Sequence, residues 1–274
     1  MAASPAGNPA PARVDVAIGG IAGLCGGLLG VGGGFVMVPL QVLWKRTSQR
    51  VASGTSLAAI LPIAIAGALV YYLGKSSPQL DLPAALCLMA GGSAGALAGA
   101  SLARVVPERA LAMIVSVLLV AGAVKELHDA WLGGSAGVEP GAPALSSIQY
   151  ALIALCGVVI GLLSGLTGVG GGILVVPTLV LGFGLGQRLA QGTSLLAILP
   201  TAAVGAIVHG RRHDLDGGAA GRMALVGVPT SVIGAVLALS LPERLLAGVF
   251  GLVLLAMAWR LWPRRPAASA TAGG

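Results

Sequence analysis

Residues 30–39 read GVGGGFVMVP, and residues 168–177 read GVGGGILVVP. The reading of this doubled phrase decides the fold, because each copy interrupts an apolar run. A second phrase repeats with it: GTSLAAILP at 54–62 becomes GTSLLAILP at 192–200. Gly30 pairs with Gly168, Pro39 with Pro177, Gly54 with Gly192 and Pro62 with Pro200, a constant displacement of 138 residues. Further on, PER at 107–109 recurs at 242–244, displaced by 135, so a loop is three residues shorter in the second half. An internal repeat constrains architecture more than any single motif. The expected organisation is two homologous halves, 14–132 and 146–262, joined by a Gly/Pro/Ala-rich linker at 133–145. Residues 1–13 and 263–274 read as disordered tails. The first tail lacks the charged region and cleavage site of a signal peptide.

The 274 residues are 56% hydrophobic and only 9% charged, with a mean hydropathy of +0.95. A soluble domain carries about 25% charged residues, so this chain could not cover a water-facing surface. It offers apolar stretches long enough to cross a hydrocarbon core, which takes about 20 helical residues. The expectation is an all-α integral membrane protein in the lipid bilayer. The net charge of +7 does not indicate nucleic acid, because the cations sit in short loops between apolar runs. Cys25, Cys87 and Cys156 lie inside apolar runs at no metal-binding spacing, and their odd number argues against a disulfide framework.

There are eight long apolar segments. Six are ordinary spans, at about 53–73, 82–104, 108–131, 191–209, 217–240 and 243–262. The leading segment of each half, 14–44 and 147–181, is too long for one simple helix and is broken by GVGGG. Lys and Arg discriminate between a single crossing and a fold-back. With single crossings the sixteen cations divide seven to nine between the two faces. With fold-backs, Arg13, Lys45, Arg46, Arg50, Arg104, Arg109, Arg211, Arg212, Arg222, Arg260, Arg264 and Arg265 share one face. Only Lys75, Lys125, Arg188 and Arg244 then lie opposite. Twelve to four is the asymmetry of the positive-inside rule, with both termini cytoplasmic. Ten passes follow, five per half, so the second half enters from the opposite side. The expected fold is two inverted-topology repeats, which in secondary transporters place the substrate at the repeat interface near the midplane.

The stretch from Phe35 to Trp44 numbers ten residues and ends at the interfacial anchor Trp44, Lys45 and Arg46. At about 1.5 Å each they reach about 15 Å, half the hydrocarbon thickness. Gly32, Gly33 and Gly34 are therefore expected near mid-membrane. A helix that starts at such a run points free N–H groups and a partial positive charge at whatever lies ahead of it. That builds an anion site without Lys or Arg. The candidate binding residues are Gly30, Gly32, Gly33 and Gly34, with Gly168, Gly170, Gly171 and Gly172 in the second half. Gly54, Thr55, Ser56, Gly192, Thr193 and Ser194 add hydroxyls and are expected at the starts of helices as N-caps. Thr167 and Gln191 add polar groups in the second half alone. Pro39, Pro62, Pro177 and Pro200 are candidate kinks or hinges. The row Gly91, Gly95, Gly99 reads as helix packing. A dinucleotide-binding reading of Gly30-x-Gly32 fails, because no strand–helix–strand unit with an acidic partner follows.

The paired GVGGG…P and GTS…P blocks resemble the TauE/SafE family of sulfite exporters and sulfonate permeases, over residues 14–262. The matching positions are Gly30 to Gly34, Gly54 to Ser56, Gly168 to Gly172 and Gly192 to Ser194. Ser53 against Gln191 makes the two half-sites chemically unlike. The resemblance implies a bacterial inner-membrane secondary transporter for a small sulfur oxyanion such as sulfite, a sulfonate or sulfoacetate, working as an exporter. It implies no cofactor, no metal and no enzymatic activity. A passive anion channel and a cation-coupled organic-solute transporter are the alternatives.

Asp15, Asp81, Glu108, Glu126, Asp129, Glu139, Asp214, Asp216 and Glu243 all read as falling at span ends or in loops. His209 abuts Arg211, Arg212 and His213 and reads as an exposed loop residue. Without a buried carboxylate, the membrane potential alone is expected to drive export. One charge moved through 100 mV is worth about 2.3 kcal/mol.

Overall fold

The computed structural model describes residues 12–74, 77–102, 108–132, 145–167 and 171–262. Gly168, Gly170, Lys75, Arg104, Pro107, most of the 133–145 linker and nearly all of both tails lie outside the described residues. So do the side chains of Thr167 and Arg109.

The described chain is helical. The first half contains α1 (Ala12–Leu29), α2 (Gly34–Lys45), α3 (Gln49–Leu73), α4 (Leu82–Leu102) and α5 (Glu108–Leu132). The second contains α6 (Ser147–Thr167), α7 (Gly172–Phe183), α8 (Gln187–Arg211), α9 (Gly217–Ser240) and α10 (Glu243–Leu261). Among the described residues, α1, α3, α6, α8, α9 and α10 are long and apolar enough to cross a membrane. At 1.5 Å per residue, the 12-residue α2 and α7 each reach only about 18 Å.

The burial pattern is that of a membrane protein. Thr55, Gln191, Thr193 and Ser194 are buried to 1% or less exposure, whereas Leu225 and Val124 are more than 60% exposed. Apolar side chains turned outward have lipid as their natural solvent. Trp44, Trp131, Trp259 and Trp262 are exposed at the ends of α2, α5 and α10, where indole rings favour the membrane–water boundary.

Each leading segment splits into two helices at its glycines, as its length requires. The first folds back on itself. Lys45, the last residue of α2, meets Asp15 in the first turn of α1 at 2.7 Å. Deeper along the pair, Gly33 is seated against the Ala22 carbonyl. Arg222 of α9 completes the cluster, donating from Nε and Nη2 to Asp15 Oδ2 at 2.9 and 2.8 Å.

Contacts between the halves come in swapped pairs. α1 runs parallel to α9, with Gly19, Gly23 and Gly27 laid on the backbone of Met223, Gly227 and Ser231. Their counterparts do the same: Gly91 and Gly95 of α4 lie on Ala154 and Val158 of α6. Counterpart helices pair antiparallel. Leu57 of α3 packs on Gly205 of α8 and Leu195 on Gly67, which sets Pro62 and Pro200 at the same height midway. In the same sense, Gly122 of α5 meets Leu254 of α10, and Gly251 meets Glu126 and Leu127.

Two sequence expectations are corrected here. α3 and α8 begin about one turn before the predicted starts at 53 and 191. Ser48 caps α3, its hydroxyl accepting from Val51 N at 3.4 Å, so Thr55, Ser56, Thr193 and Ser194 lie within helices and are not N-caps. Glu126 is not a terminal or loop residue. It stands inside α5, six residues before the helix ends, and is 2% exposed. Its neighbours Lys125 and Asp129 pair with each other on the outer side and give the segment the pattern of a polar helix end.

Candidate functional site

Backbone geometry explains why the turns are written in glycine. Gly30, Gly32 and Gly33 have φ of 71°, 75° and 82°, and Gly171 has 69°. Side-chain-bearing residues rarely occupy this left-handed region. Gly33 and Gly171 are the N-caps of α2 and α7, and no side chain caps either helix. Val36 N and Met37 N both reach back to Gly33 O, at 3.1 and 3.0 Å, and Leu174 N to Gly171 O at 2.9 Å. The N–H groups ahead of these belong to the open first turn of each helix.

The first turn meets the start of α7 and α8 at the boundary between the halves. A Cβ on Gly172 would lie 2.7 Å from the Val31 carbonyl oxygen, and one on Gly30 would strike Gln191. Gly32 faces Ile60 of α3 and Ile198 of α8, and Ser194 Oγ stands 3.5 Å from Gly172 O. A cavity of about 20 Å³ opens at the second turn, lined by Gly171, Ser164, Gly92, Gly161, Ile198 and Thr201. That is room for one water molecule. Among the described residues its polar equipment is hydroxyl and backbone, without a cation. Gly34 begins α2 and is buried behind the first turn.

The GTS residues do a different job from the one expected. Thr55 Oγ1 accepts from Asp216 N at 3.0 Å, and Thr193 Oγ1 from Asp81 N at 2.9 Å. Each threonine thus holds the residue that caps a helix of the opposite half, because Asp216 and Asp81 in turn accept from Ala219 N and Ala84 N. Gly54 and Gly192 admit the backbone of Asp214 and Gln79 in the same way. Ser56 accepts from Gln41 Nε2 at 2.8 Å, which ties α2 to α3. These groups tie α3 and α8 to the helix starts of the opposite half and to α2. Pro39, Pro62, Pro177 and Pro200 all stand inside helices. His209 is not the exposed loop residue expected: it stands in the last turn of α8, half-buried against Gly54, as its counterpart Tyr71 stands against Gly192.

Gln41, Tyr71, Glu126 and Gln187 belong to the buried polar interior, and sequence reasoning misses all four. Gln41 carries a signal, since it is the lone polar residue in FVMVPLQVLW. The Gln191 side chain is buried in a polar chain: Tyr71 Oη donates to its Oε1 at 2.9 Å. Its amide nitrogen meets Gln187 at 3.3 Å, and Gln187 donates to Glu126.

The family described as sulfite exporter TauE/SafE matches residues 2–126 and 153–273. A "Probable membrane transporter protein" of Xylella fastidiosa (strain 9a5c) is 28% identical over 258 residues, covering 91% of this chain and 95% of its own length. The "Probable membrane transporter protein YunE" of Bacillus subtilis (strain 168) is 28% identical over 211 residues, 71% of this chain and 76% of its own. With both halves matched, each carrying its glycine turn and its GTS helix, the chain belongs to the TauE/SafE family of multi-pass membrane transporters.

Proposed function

We propose that the chain is a secondary transporter that exports a small sulfur oxyanion, of the sulfite, sulfonate or sulfoacetate class, across a bacterial inner membrane by alternating access. One observation carries this reading: two helices, each capped by a left-handed glycine and by no side chain, begin beside each other at the boundary between the halves. Their first-turn N–H groups are donors for an anion that no Lys or Arg has to hold. Ser164 at the cavity supplies a hydroxyl, whereas the Thr201 hydroxyl donates to Ile198 O at 2.8 Å.

The same reading takes the ten helices as two inverted five-pass repeats with both termini cytoplasmic. It is supported by the antiparallel pairing of α3 with its counterpart α8 and of α5 with α10. A two-fold axis that reverses helix direction lies across the helices, as inverted repeats require. It is supported also by the meeting of Asp15, Lys45 and Arg222, three residues that fold-back assigns to one face.

The test is thermal stabilisation of the purified protein by sulfite, sulfate, thiosulfate, taurine, sulfoacetate and chloride. One sulfur anion is expected to raise the melting temperature. Ser164→Ala should weaken it about 10- to 100-fold, the range for a lost hydrogen bond to a charged ligand, about 1.5–3 kcal/mol. Stabilisation by none of the six anions sinks the substrate reading. Counterflow of the labelled anion in vesicles separates a carrier from a channel, which shows none.

A further inference from the structure

Glu126 is 2% exposed, and among the described residues no Lys or Arg pairs with it. Lys125 and Asp129 on its own helix bond to each other, and His128 turns outward beside Asp129. From α8, Arg188 is drawn to the carbonyls of Ala238 and Leu241 and stands 3.8 Å from Glu243. α10 presents Gly251 to Glu126, and its charged Glu243, Arg244 and Arg260 lie at least seven residues along the helix. α7 has no titratable side chain. What reaches the carboxylate is a neutral amide. With the Gln187 amide turned so that its nitrogen faces the carboxylate, the orientation that satisfies both neighbours, Nε2 donates to the two oxygens at 2.9 and 3.2 Å and Oε1 accepts from Gln191 Nε2 at 3.3 Å.

The far end of this chain has a choice. Tyr71 Oη lies 2.9 Å from Gln191 Oε1 and 3.1 Å from the Gly27 carbonyl oxygen, and it has one hydrogen to give. Gly27 is in the last turn of α1, where carbonyls lack helical partners. Three residues later comes Gly30, whose own backbone rests on Gln191.

We propose that Glu126 is a proton-binding site, and that its protonation reverses the hydrogen-bond chain Gln187–Gln191–Tyr71 and is read at the first glycine turn. With the carboxylate, every donor points toward Glu126: Tyr71 to Gln191, Gln191 to Gln187, Gln187 to Glu126. With a proton taken from water onto Glu126, its O–H donates to Gln187 Oε1. Both amides then turn over, Gln191 Nε2 donates to Tyr71 Oη, and the Tyr71 hydrogen passes to Gly27 O. Any mixed arrangement sets donor against donor or acceptor against acceptor, or leaves the carboxyl O–H without an acceptor, in a dry interior where unsatisfied polar groups are expensive. The charge of Glu126 therefore decides whether the end of α1 is held or released. The use of this switch in transport rests on the reading above, whereas the proton site rests on geometry alone. The burial of Glu126 inside α5 also removes the premise, that no acid lies within a span, on which the expectation of potential-driven export rests.

The experiment is infrared difference spectroscopy of the full chain in lipid vesicles, between acidic and alkaline pH. A protonated-carboxyl band is expected in the wild type and absent in Glu126→Gln. In Tyr71→Phe the band should persist with its titration midpoint displaced by about one pH unit, the size of one lost hydrogen bond. Tyr72→Phe, exposed and outside the chain, should titrate as wild type. If Glu126→Gln does not fold, Glu126→Asp replaces it and must alter the band. An undiminished band in the Glu126 variant, or a Tyr71→Phe titration identical to wild type, overturns the proposal. Sulfite counterflow in the same vesicles tests the substrate reading separately, since its absence in wild type leaves the infrared result unaffected.

Discussion

Gly33 caps α2 at φ 82° with its Cα seated against the Ala22 carbonyl. A methyl there meets both a disfavoured backbone and an occupied space. Gly33→Ala is expected to destabilise by about 2–4 kcal/mol, combining backbone strain with overpacking. Gly221→Ala, inside α9 with nothing within 4 Å of the new carbon, should instead stabilise by about 0.5–1 kcal/mol. Thermal unfolding of both variants in one detergent checks the contrast; equal shifts would mean that the first turn is not the tight structure described. These glycines are legible in the sequence because three of them in a row suit no helix face, and only glycine takes the required φ cheaply. Glu126 is not legible. Its surroundings include Gln187, a residue 61 positions later that reaches it only when the first turn of α8 is brought to α5.

Among the helices, small residues let backbones touch along two long seams, α1 on α9 and α4 on α6. Without a hydrophobic drive inside lipid, close packing of this kind holds helices together. Gly95 lies on the Val158 carbonyl with no room for a side chain. Gly95→Ala should push α4 from α6 and lower stability by about 1–3 kcal/mol, read by the same unfolding assay. A neutral Gly95→Ala would argue that this seam is loose. The row Gly91, Gly95 is readable as packing, but its partner is not: four-residue spacing marks a contact face without saying which helix it meets. The GTS helices show the converse. Their hydroxyls read as caps of their own helices, yet Thr55 and Thr193 serve helices of the opposite half, a relation that no local pattern encodes.

For the molecule as a whole, the fold-back of the leading segment sets every later crossing. With Cys25, Cys87 and Cys156 replaced by Ala, single cysteines at Arg46, Arg188 and Arg211 report sidedness to a membrane-impermeant thiol reagent. Cysteines at 46 and 211 should label from one side and that at 188 from the other. If 46 and 211 label from opposite sides, the leading segment crosses once and the inverted arrangement is lost. The charge asymmetry that points to fold-back is a property of composition along the chain, countable from the positions of Lys and Arg alone. The Asp15–Lys45 contact at 2.7 Å expresses the same fold-back as packing.

Residue order alone specifies a helical membrane protein of two homologous halves, and where its helices break. Those properties follow from hydropathy, repeat spacing and glycine backbone freedom, each local to a few dozen residues. Which polar groups meet inside is a matter of tertiary packing: Asp15 with Lys45 and Arg222, and Glu126 with Gln187, Gln191 and Tyr71. Burial is a property of a residue's neighbours, and here those neighbours are distant in the chain. A carboxylate near a helix end is ordinary in a loop, and becomes a site when helices from the other half close over it.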